Sequence, residues 1–289
     1  MRTWFYAVLA AAASVLASCA PVQQGEPALW RVADADSEIW LFGSVHVLPR
    51  DIRWLNPRIL AALEGADEFV TETNVEAEDF SALAWRYGSL PEGETLASRL
   101  SAEDRARLAQ AVDETGLDPA RMDRLRPWFA ALQITYAYAA RRGQSSEAGV
   151  ESVLGARARA RDIPFTYLET PEQQIRVLAD LPPEVEAHFL SVTLRQVEEG
   201  GRALTSLDEP WARGDLDTLS RELDRQWAEA GPVIHDALIV RRNRAWADSI
   251  AARLEGSGSA FIAVGAAHLV GDENVVQLLR ERGIAVEGP

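Results

Sequence analysis

The segment F-I-A-V-G-A-A-H-L-V-G, residues 261–271, guides the interpretation of the whole chain. Its first five residues follow a Gly/Ser run at residues 256–259 and are apolar up to Gly265, which is the pattern of a short buried strand. His268 stands three positions after that glycine. The segment therefore predicts a buried strand with an imidazole just beyond its carboxyl end.

A second segment of the same kind lies near the other end of the chain. Residues 39–46 are I-W-L-F-G-S-V-H, an apolar run that ends in Gly-x-x-His. The chain has only four histidines, and two of them, His46 and His268, share this context. In open α/β sheets, ligands bind beyond the carboxyl ends of the strands, and a glycine there lets the backbone turn sharply. We therefore predict that both imidazoles face one crevice.

Two glutamates follow other predicted strands. Glu72 lies at the end of residues 68–73, and Glu169 lies between the short strand 165–168 and a predicted helix start. In this topology a carboxylate at a strand end faces the same crevice as the histidines. Each glutamate also has a structural interpretation, since Glu72 could cap a helix or be solvated and Glu169 could be the acid favoured near a helix N-terminus.

Short apolar strands alternate with helical patterns along the chain. Residues 29–33 and 38–42 form a predicted hairpin, and residues 77–161 read as an inserted helical layer. One helix of that layer carries four aromatic residues that predict core packing, although one or two of them could roof the cleft: Trp128, Phe129, Tyr136 and Tyr138. The prediction is a single α/β domain, residues 28–289, with a small, mostly parallel sheet flanked by many helices.

The first residues have the pattern of a lipoprotein signal peptide. Arg2 precedes an apolar run, residues 4–16, that is too short for a permanent membrane span, and the run closes with Leu-Ala-Ser-Cys at residues 16–19. We predict a signal peptide at residues 1–18, a lipidated Cys19, and a tether at residues 19–27. A soluble secreted protein with a free Cys19 is the alternative. The predicted location is the cell envelope, with the chain anchored to a membrane.

The net charge limits the possible partners of the chain, and the single cysteine limits its covalent cross-links. The formal net charge of -15 and the sequence pI near 4.8 argue against a nucleic-acid partner, because phosphate binding needs a basic face. One cysteine cannot form an intramolecular disulfide. The expected partners are a peptide or small-molecule substrate and, through the lipid, a membrane.

Several motifs occur together in one order: Gly43-x-x-His46, Thr71-Glu72-Thr73, Leu168-Glu169-Thr170 followed by Glu172-Gln173-Gln174, Arg242-Asn243, and Val264-Gly265-Ala266-Ala267-His268-Leu269-x-Gly271. This set resembles the TraB/PrgY/GumN family, which includes the Tiki proteases. It is also distantly similar to erythromycin esterases and ChaN-like proteins. The resemblance covers residues 29–286 and implies that Arg242 and Asn243 face the site. The chain departs from the family at Glu151, where relatives usually carry aspartate, and we assign that residue no role.

The resemblance implies a metal-dependent hydrolase, first of all a peptidase. Two imidazoles and one or two carboxylates form a ligand set that Zn²⁺, Mn²⁺ or Co²⁺ accepts. The expected ligands are His46, His268, Glu72 and Glu169, and Glu72, His46, Arg242 and Asn243 are the expected catalytic residues. The chain lacks H-E-x-x-H, so it is not a zincin. In a metal-free variant, which similarity to erythromycin esterases suggests, His46 and Glu72 activate water as general bases.

The second hypothesis is a binding protein without catalysis. Similarity to ChaN-like proteins suggests an envelope lipoprotein that carries haem or a metal, and the GumN name suggests a factor that assists production of surface polysaccharide. Haem binding calls for an exposed His or Tyr over an apolar patch, which the sequence does not show clearly. Metal analysis with an absorbance scan distinguishes the two hypotheses, because bound haem gives a Soret band.

Overall fold

The structure is a computed structural model that describes residues 25–289. The predicted signal peptide and the lipidation site Cys19 lie outside the described residues, as does most of the predicted tether. Within residues 25–289, no helix is both long enough and apolar enough to cross a membrane.

Eight strands and fourteen α-helices make up the described chain. The strands are β1 (Leu29–Ala33), β2 (Ser37–Ser44), β3 (Leu48–Pro49), β4 (Glu68–Thr71), β5 (Gln144–Ser145), β6 (Phe165–Tyr167), β7 (Gly258–Gly265) and β8 (Val286–Glu287). The helices are α1 (Pro57–Glu64), α2 (Phe80–Gly88), α3 (Ala102–Thr115), α4 (Pro119–Met122), α5 (Pro127–Arg141), α6 (Val150–Ala160), α7 (Pro171–Ala179), α8 (Pro183–Glu198), α9 (Arg202–Thr205), α10 (Asp208–Arg213), α11 (Leu216–Ala230), α12 (Pro232–His235), α13 (Arg241–Leu254) and α14 (Val275–Glu281).

Six strands form one mixed sheet in the order β6-β4-β7-β2-β1-β8. Strands β6, β4, β7 and β2 are parallel to their neighbours, and β1 pairs antiparallel with β2 and with β8. The predicted α/β class, the N-terminal hairpin and the mostly parallel sheet are therefore confirmed. The antiparallel strand lies toward the β8 edge, so the carboxyl ends of four neighbouring parallel strands stay together.

Buried apolar side chains form two clusters. The first surrounds the sheet, where Phe42, Phe69 and Phe261 from three neighbouring strands pack with ring centroids about 6 Å apart. The second lies within the helical layer, mainly among α3, α5, α7 and α8. Trp227 packs against both clusters. The structure thus confirms the helical insertion, while the single-domain boundaries stay a prediction.

The pattern after Gly231-Pro232 predicts one long helix to about Leu254, and residues 232–254 are helical throughout. This segment is divided into α12, a π-helical turn at Asp236–Val240 and α13. A π-helical turn is rare and often lies near a functional site. Here the carbonyl of Leu238, within the turn, accepts a hydrogen bond from Arg242 Nη1 at 3.2 Å. The irregular turn therefore contacts the first residue of the predicted Arg-Asn pair.

Candidate functional site

The carboxyl ends of β2, β7, β4 and β6 place the predicted residues along one edge of the sheet. Ser44 at the end of β2 pairs with Gly265 at the end of β7, and Thr71 of β4 pairs with Tyr167 of β6. Pairing continues past the strands, because the amide of Glu169 donates to the carbonyl of Glu72 at 2.8 Å. Residues more than two hundred positions apart in sequence, such as Ser44 and Gly265, therefore meet at this edge.

Arg242 is the centre of the buried part of the site. Its Nη2 donates to Glu72 Oε2 at 2.6 Å and to Glu169 Oε2 at 3.0 Å, and its Nε donates to Glu169 Oε1 at 2.8 Å. Gln174 Oε1 accepts a further bond from Nη2 at 2.9 Å. The guanidinium also lies over the Trp246 ring, 4.5 Å from its centroid. Arg242 thus clamps both predicted strand-end glutamates, which is the geometry its planar fork of donors favours.

Glu72 is an ionised and fully engaged carboxylate. Its Oε1 accepts the amide proton of Gly265 at 2.7 Å, and its Oε2 accepts from Arg242. Burial alone would raise the pKa of Glu72, but the positive charge of Arg242, supported by His46 and by the Gly265 amide, holds that pKa well below its usual range. Glu72 therefore carries its negative charge throughout the neutral range.

His268 lies beside this clamp as a buried, neutral imidazole. Its Nδ1 is 2.6 Å from Asn243 Oδ1, its Nε2 is 3.2 Å from Arg242 Nη1, and its ring packs against Trp246 with centroids 4.3 Å apart. Burial lowers the pKa of His268 to about 3, and the positive charge of Arg242 acts in the same direction while Glu72 opposes both. At neutral pH this histidine is a hydrogen-bonding group without charge.

His46 differs from His268 in its exposure, in the residue that contacts Nδ1 and in the direction of its pKa shift. More than half of its side chain, 54%, is exposed, and its Nδ1 is 2.8 Å from Glu151 Oε1. The charge of Glu151 raises the pKa of His46 well above its usual value, burial of part of the ring opposes the shift, and Tyr136 and Glu72 add to the increase. The ring is oriented through Nδ1, and Nε2 has no hydrogen-bond partner among residues 25–289. His46 is therefore an accessible titrating group.

Glu151 is the site residue to which the sequence assigned no role. Its Oε1 accepts from Ser44 Oγ at 2.5 Å as well as contacting His46. Helix α6 is held against the first Gly-x-x-His segment by a bond from the Val150 amide to the Val45 carbonyl at 3.0 Å. Any side chain at Gly149 would collide with His46, since a Cβ there would lie 2.1 Å from the His46 carbonyl oxygen. The Gly-Val-Glu sequence at residues 149–151 is the one sequence signal from which Glu151 could have been predicted as a site residue.

The two Gly-x-x-His segments touch each other through their backbones. A Cβ on Gly43 would lie 3.0 Å from the Cα of Ala266, so the glycine of the first motif permits the second to approach closely. The charge of His46 also lowers the pKa values of both Glu72 and His268. His46 is therefore close enough to influence the buried residues Glu72 and His268 electrostatically. Direct convergence of the two imidazoles on one ligand stays a prediction.

The other two histidines lie apart from this edge. His188 Nε2 is 3.0 Å from the carbonyl oxygen of Glu229, and the ring of His235 packs against Trp227 with centroids 5.2 Å apart. His188 is on α8 and His235 is the last residue of α12. Within residues 25–289, no hydrogen bond, ion pair or ring contact joins either of them to Arg242, Glu72, Glu169 or His268.

The predicted metal ligands do not fit a divalent metal in this arrangement. A metal needs the free lone pair of His268 Nε2, but Arg242 Nη1 lies against that atom at 3.2 Å. The guanidinium already supplies the positive charge that two carboxylates require, and both Glu72 oxygens accept hydrogen bonds. No group of three or more His, Cys, Asp or Glu side chains within residues 25–289 is disposed to hold a metal ion. Metal dependence thus stays a prediction from the resemblance.

Comparison with known proteins places this arrangement in a family. The chain is 28% identical to the Escherichia coli K12 protein YbaP over 254 residues, which is 88% of this chain and 92% of YbaP. A Treponema pallidum protein is 23% identical over 277 residues, or 90% of this chain and 82% of that protein. Neither name states an activity, and no solved structure matches significantly. The model of the TraB/PrgY/gumN family matches residues 28–288, and the chain therefore belongs to that family.

Proposed function

We propose that this chain is a hydrolase of the cell envelope, with peptide bonds as the favoured substrate, and that His46 is its proton-transfer residue. The observation that carries the proposal is the pairing of an exposed, oriented imidazole with a buried, charge-balanced network at the carboxyl edge of the sheet. A ring with one nitrogen held by a carboxylate and the other accessible is the usual arrangement of a general acid–base histidine.

The proposed step uses a water molecule next to His46. In its neutral form, which predominates above the raised pKa of the ring, His46 takes a proton from the water through Nε2 as the water oxygen attacks the substrate carbonyl carbon. The imidazolium then returns the proton to the leaving amine as the C–N bond breaks. Glu151 holds Nδ1 and stabilises the imidazolium. General-base catalysis of this kind contributes roughly 10²- to 10⁴-fold to a rate.

Glu72, the other general base in the metal-free variant, is a weaker candidate. The residue is only 8% exposed, and its carboxylate accepts hydrogen bonds from Arg242 and from the Gly265 amide, so its affinity for a proton is low. Arg242 and Asn243, both buried, are assigned positioning roles because their polar atoms are committed to protein partners. The reacting groups of the substrate would meet His46 first.

A peptide-library digest tests the proposal. The wild-type chain is compared with His46→Gln, and His188→Gln is the matched control, because His188 is a histidine outside the site. We expect cleavage by the wild type and the control, and a loss of about 10²- to 10⁴-fold for His46→Gln. Equal rates for all three chains would show that His46 takes no part in the mechanism. Failure of the wild type to cleave any peptide or ester would contradict the proposed hydrolase function.

The same digest addresses metal dependence. It is run after chelation and again with Mn²⁺, Co²⁺ or Zn²⁺ added, beside metal analysis of the purified chain. Activity that survives chelation supports the metal-free mechanism. Activity that requires added metal would support the ligand set predicted from the resemblance, and a Soret band without cleavage would support the haem carrier instead.

The envelope location rests on the N-terminal sequence pattern. We propose that Cys19 is acylated and anchors the chain to a membrane, where one acyl chain alone would hold it only marginally. Cys19→Ser should move the protein from the membrane fraction to the soluble fraction. Unchanged partitioning would contradict the anchor and leave the hydrolase proposal untouched.

A further inference from the structure

The loop after His268 holds one residue in an unusual backbone conformation. Glu273 has φ 52°, in the left-handed region, and Asp162 is the only other non-glycine residue of the described chain with positive φ. A non-glycine residue in this region costs on the order of 1 kcal/mol and persists only where its surroundings impose it. The contacts of Glu273 therefore indicate what the loop is built to hold.

The carbonyl of Glu273 accepts a hydrogen bond from Asn243 Nδ2 at 2.9 Å. Asn243 is completely buried, and its other amide atom, Oδ1, is 2.6 Å from His268 Nδ1. Asn274 stabilises the same loop, since its Nδ2 donates to the carbonyl of Gly271 at 2.6 Å and its Oδ1 caps α14 through the amide of Gln277. The backbone carbonyl of Glu273, the side-chain amide of Asn243 and the imidazole of His268 thus form a single chain of contacts.

The donor and acceptor properties of these groups leave one arrangement. A backbone carbonyl only accepts, so the NH₂ group of Asn243 must face Glu273, and Oδ1 must then face His268. Because Oδ1 also only accepts, His268 must carry its proton on Nδ1. We infer that the Glu273 loop is a positioning element that locks His268 in the Nδ1–H tautomer and presents Nε2 as a permanent acceptor.

The contact on the other side of the ring supports the same assignment. With the proton on Nδ1, the Nε2 lone pair accepts from Arg242 Nη1 at 3.2 Å. The opposite tautomer would place N–H against the guanidinium and a lone pair against Asn243 Oδ1, which makes both contacts repulsive. The doubly protonated ring would add a second positive charge beside Arg242.

A fixed acceptor at this position has a consequence for the site. His268 holds the Arg242 guanidinium from the side opposite Glu169, and it cannot exchange a proton without losing a contact to Asn243 or Arg242. The use of this acceptor in catalysis rests on the proposed hydrolase function. The tautomer itself does not, so it is measured without substrate.

Nitrogen-15 NMR of the histidine rings tests the inference on the full chain. The ring nitrogens of His268 are assigned by comparison with His46→Gln, His188→Gln and His235→Gln. We expect Nδ1 to give the signal of a protonated nitrogen and Nε2 that of an unprotonated acceptor. An Nε2–H tautomer, a charged ring or an averaged pair of signals in the wild type would overturn the inference.

Two substitutions at one position isolate the role of the loop. Glu273→Gly keeps the carbonyl and tolerates φ 52°, whereas Glu273→Pro fixes φ near −65° and turns the carbonyl away. Both variants lose the exposed ion pair with Arg244, so a difference between them does not come from that loss. The glycine variant should keep the wild-type signals, and the proline variant should give mixed tautomers. Unchanged signals in a folded proline variant would overturn the role of the loop.

A variant within α13 covers the case in which the proline variant does not fold. Asn243→Leu keeps the branching of the side chain at Cγ and removes both the acceptor for Nδ1–H and the donor to Glu273. Mixed tautomers of His268 in this chain support the lock, and a retained pure Nδ1–H tautomer contradicts it. Since peptide cleavage is not the readout, failure here is distinct from failure of the proposed hydrolase.

Discussion

The two Gly-x-x-His segments share a sequence pattern and a position at neighbouring strand ends, yet their histidines are in opposite states. His46 is half exposed, its Nδ1 contacts the carboxylate of Glu151, and its pKa is raised. His268 is 4% exposed, its Nδ1 contacts the side-chain amide of Asn243, and its pKa is lowered to about 3. The motif therefore specifies where an imidazole stands, and the residue that faces Nδ1 specifies what the imidazole can do.

The partners of the two rings come from different parts of the chain. Glu151 belongs to α6 of the inserted helical layer, and Asn243 and Arg242 belong to α13, next to the sheet. A carboxylate partner favours a ring that can accept and hold a proton, whereas an amide partner beside a guanidinium favours a ring that stays neutral. One segment is suited to proton transfer and the other to holding the buried network in place.

The largest effect we expect is the loss of Arg242. Arg242→Met leaves the buried carboxylates of Glu72 and Glu169 without a positive partner, and removal of one partner from a buried ion pair costs roughly 3 to 5 kcal/mol. The free energy of unfolding, measured by denaturant titration, should fall by that amount.

Arg241→Met is the matched control, because Arg241 is the preceding residue and pairs with Asp236 at an exposed position, with 64% of its side chain accessible. A surface ion pair of this kind contributes between about 0 and 1 kcal/mol. Similar losses for the two variants would contradict the buried clamp.

The next effect compares the two histidines directly. His268→Ala empties a packed position against Trp246 and leaves Asn243 Oδ1 without its donor, and we expect a loss of about 3 kcal/mol in the free energy of unfolding. His46→Ala removes a half-exposed ring, and the expected change is within about 1 kcal/mol. Thermal and denaturant melts of both chains measure the difference. Equal losses would mean that the two environments are energetically alike.

Much of the site could be predicted from strand ends alone. His46, Glu72, Glu169 and His268 each lie just beyond the end of a strand, and the parallel pairing of those strands brings them to one edge because ladder hydrogen bonds fix the register. The hairpin at the N-terminus was visible for the same reason, since its two runs flank a short polar turn. Local pattern is sufficient wherever the chain itself determines the direction of a side chain.

Other features depend on contacts that no local pattern encodes. The pairing of Glu151 with His46 requires that α6 dock on the first motif, and the clamp formed by Arg242 requires that α13 lie over the ends of β4 and β6. The π-helical turn before α13 has no signal in the sequence, where the pattern predicts one regular helix. Protonation states follow from these contacts, so the sequence could list the titrating residues and not their charges.

A smaller effect concerns the support beneath the first motif. Helix α10 holds that motif through Trp211, whose Nε1 donates to the Gly43 carbonyl at 2.8 Å, and it also carries Asp208, a buried acid bonded to Gln144 Nε2 at 2.6 Å. Burial raises the pKa of Asp208 from 3.8 to about 6, although the bond from Gln144 opposes the shift. Asp208 therefore stabilises the fold below about pH 4, and that contribution is lost as the pH rises through about 6.

Asp208→Asn should remove this pH dependence. Its oxygen could still accept from Gln144 Nε2, and its new NH₂ group could reach Gln144 Oε1, which is buried without a partner in the described chain. We expect the variant to be more stable than the wild type by about 2 kcal/mol at pH 7, and similar to it near pH 4. Denaturant melts at the two pH values measure this. A variant that is less stable at pH 7 would show that the ionised carboxylate is needed.

The smallest expected effect is on the titration of His46. Since the charge of Glu151 raises the pKa of His46, Glu151→Gln should lower that pKa toward its usual value. If His46 acts as a base, the rising limb of kcat/KM against pH should then shift to lower pH. Glu147→Gln is the control, because Glu147 is an acid close in sequence that pairs with Arg50 instead. NMR titration of the His46 ring measures the shift directly, and an unchanged pKa in Glu151→Gln would break the proposed contrast between the two motifs.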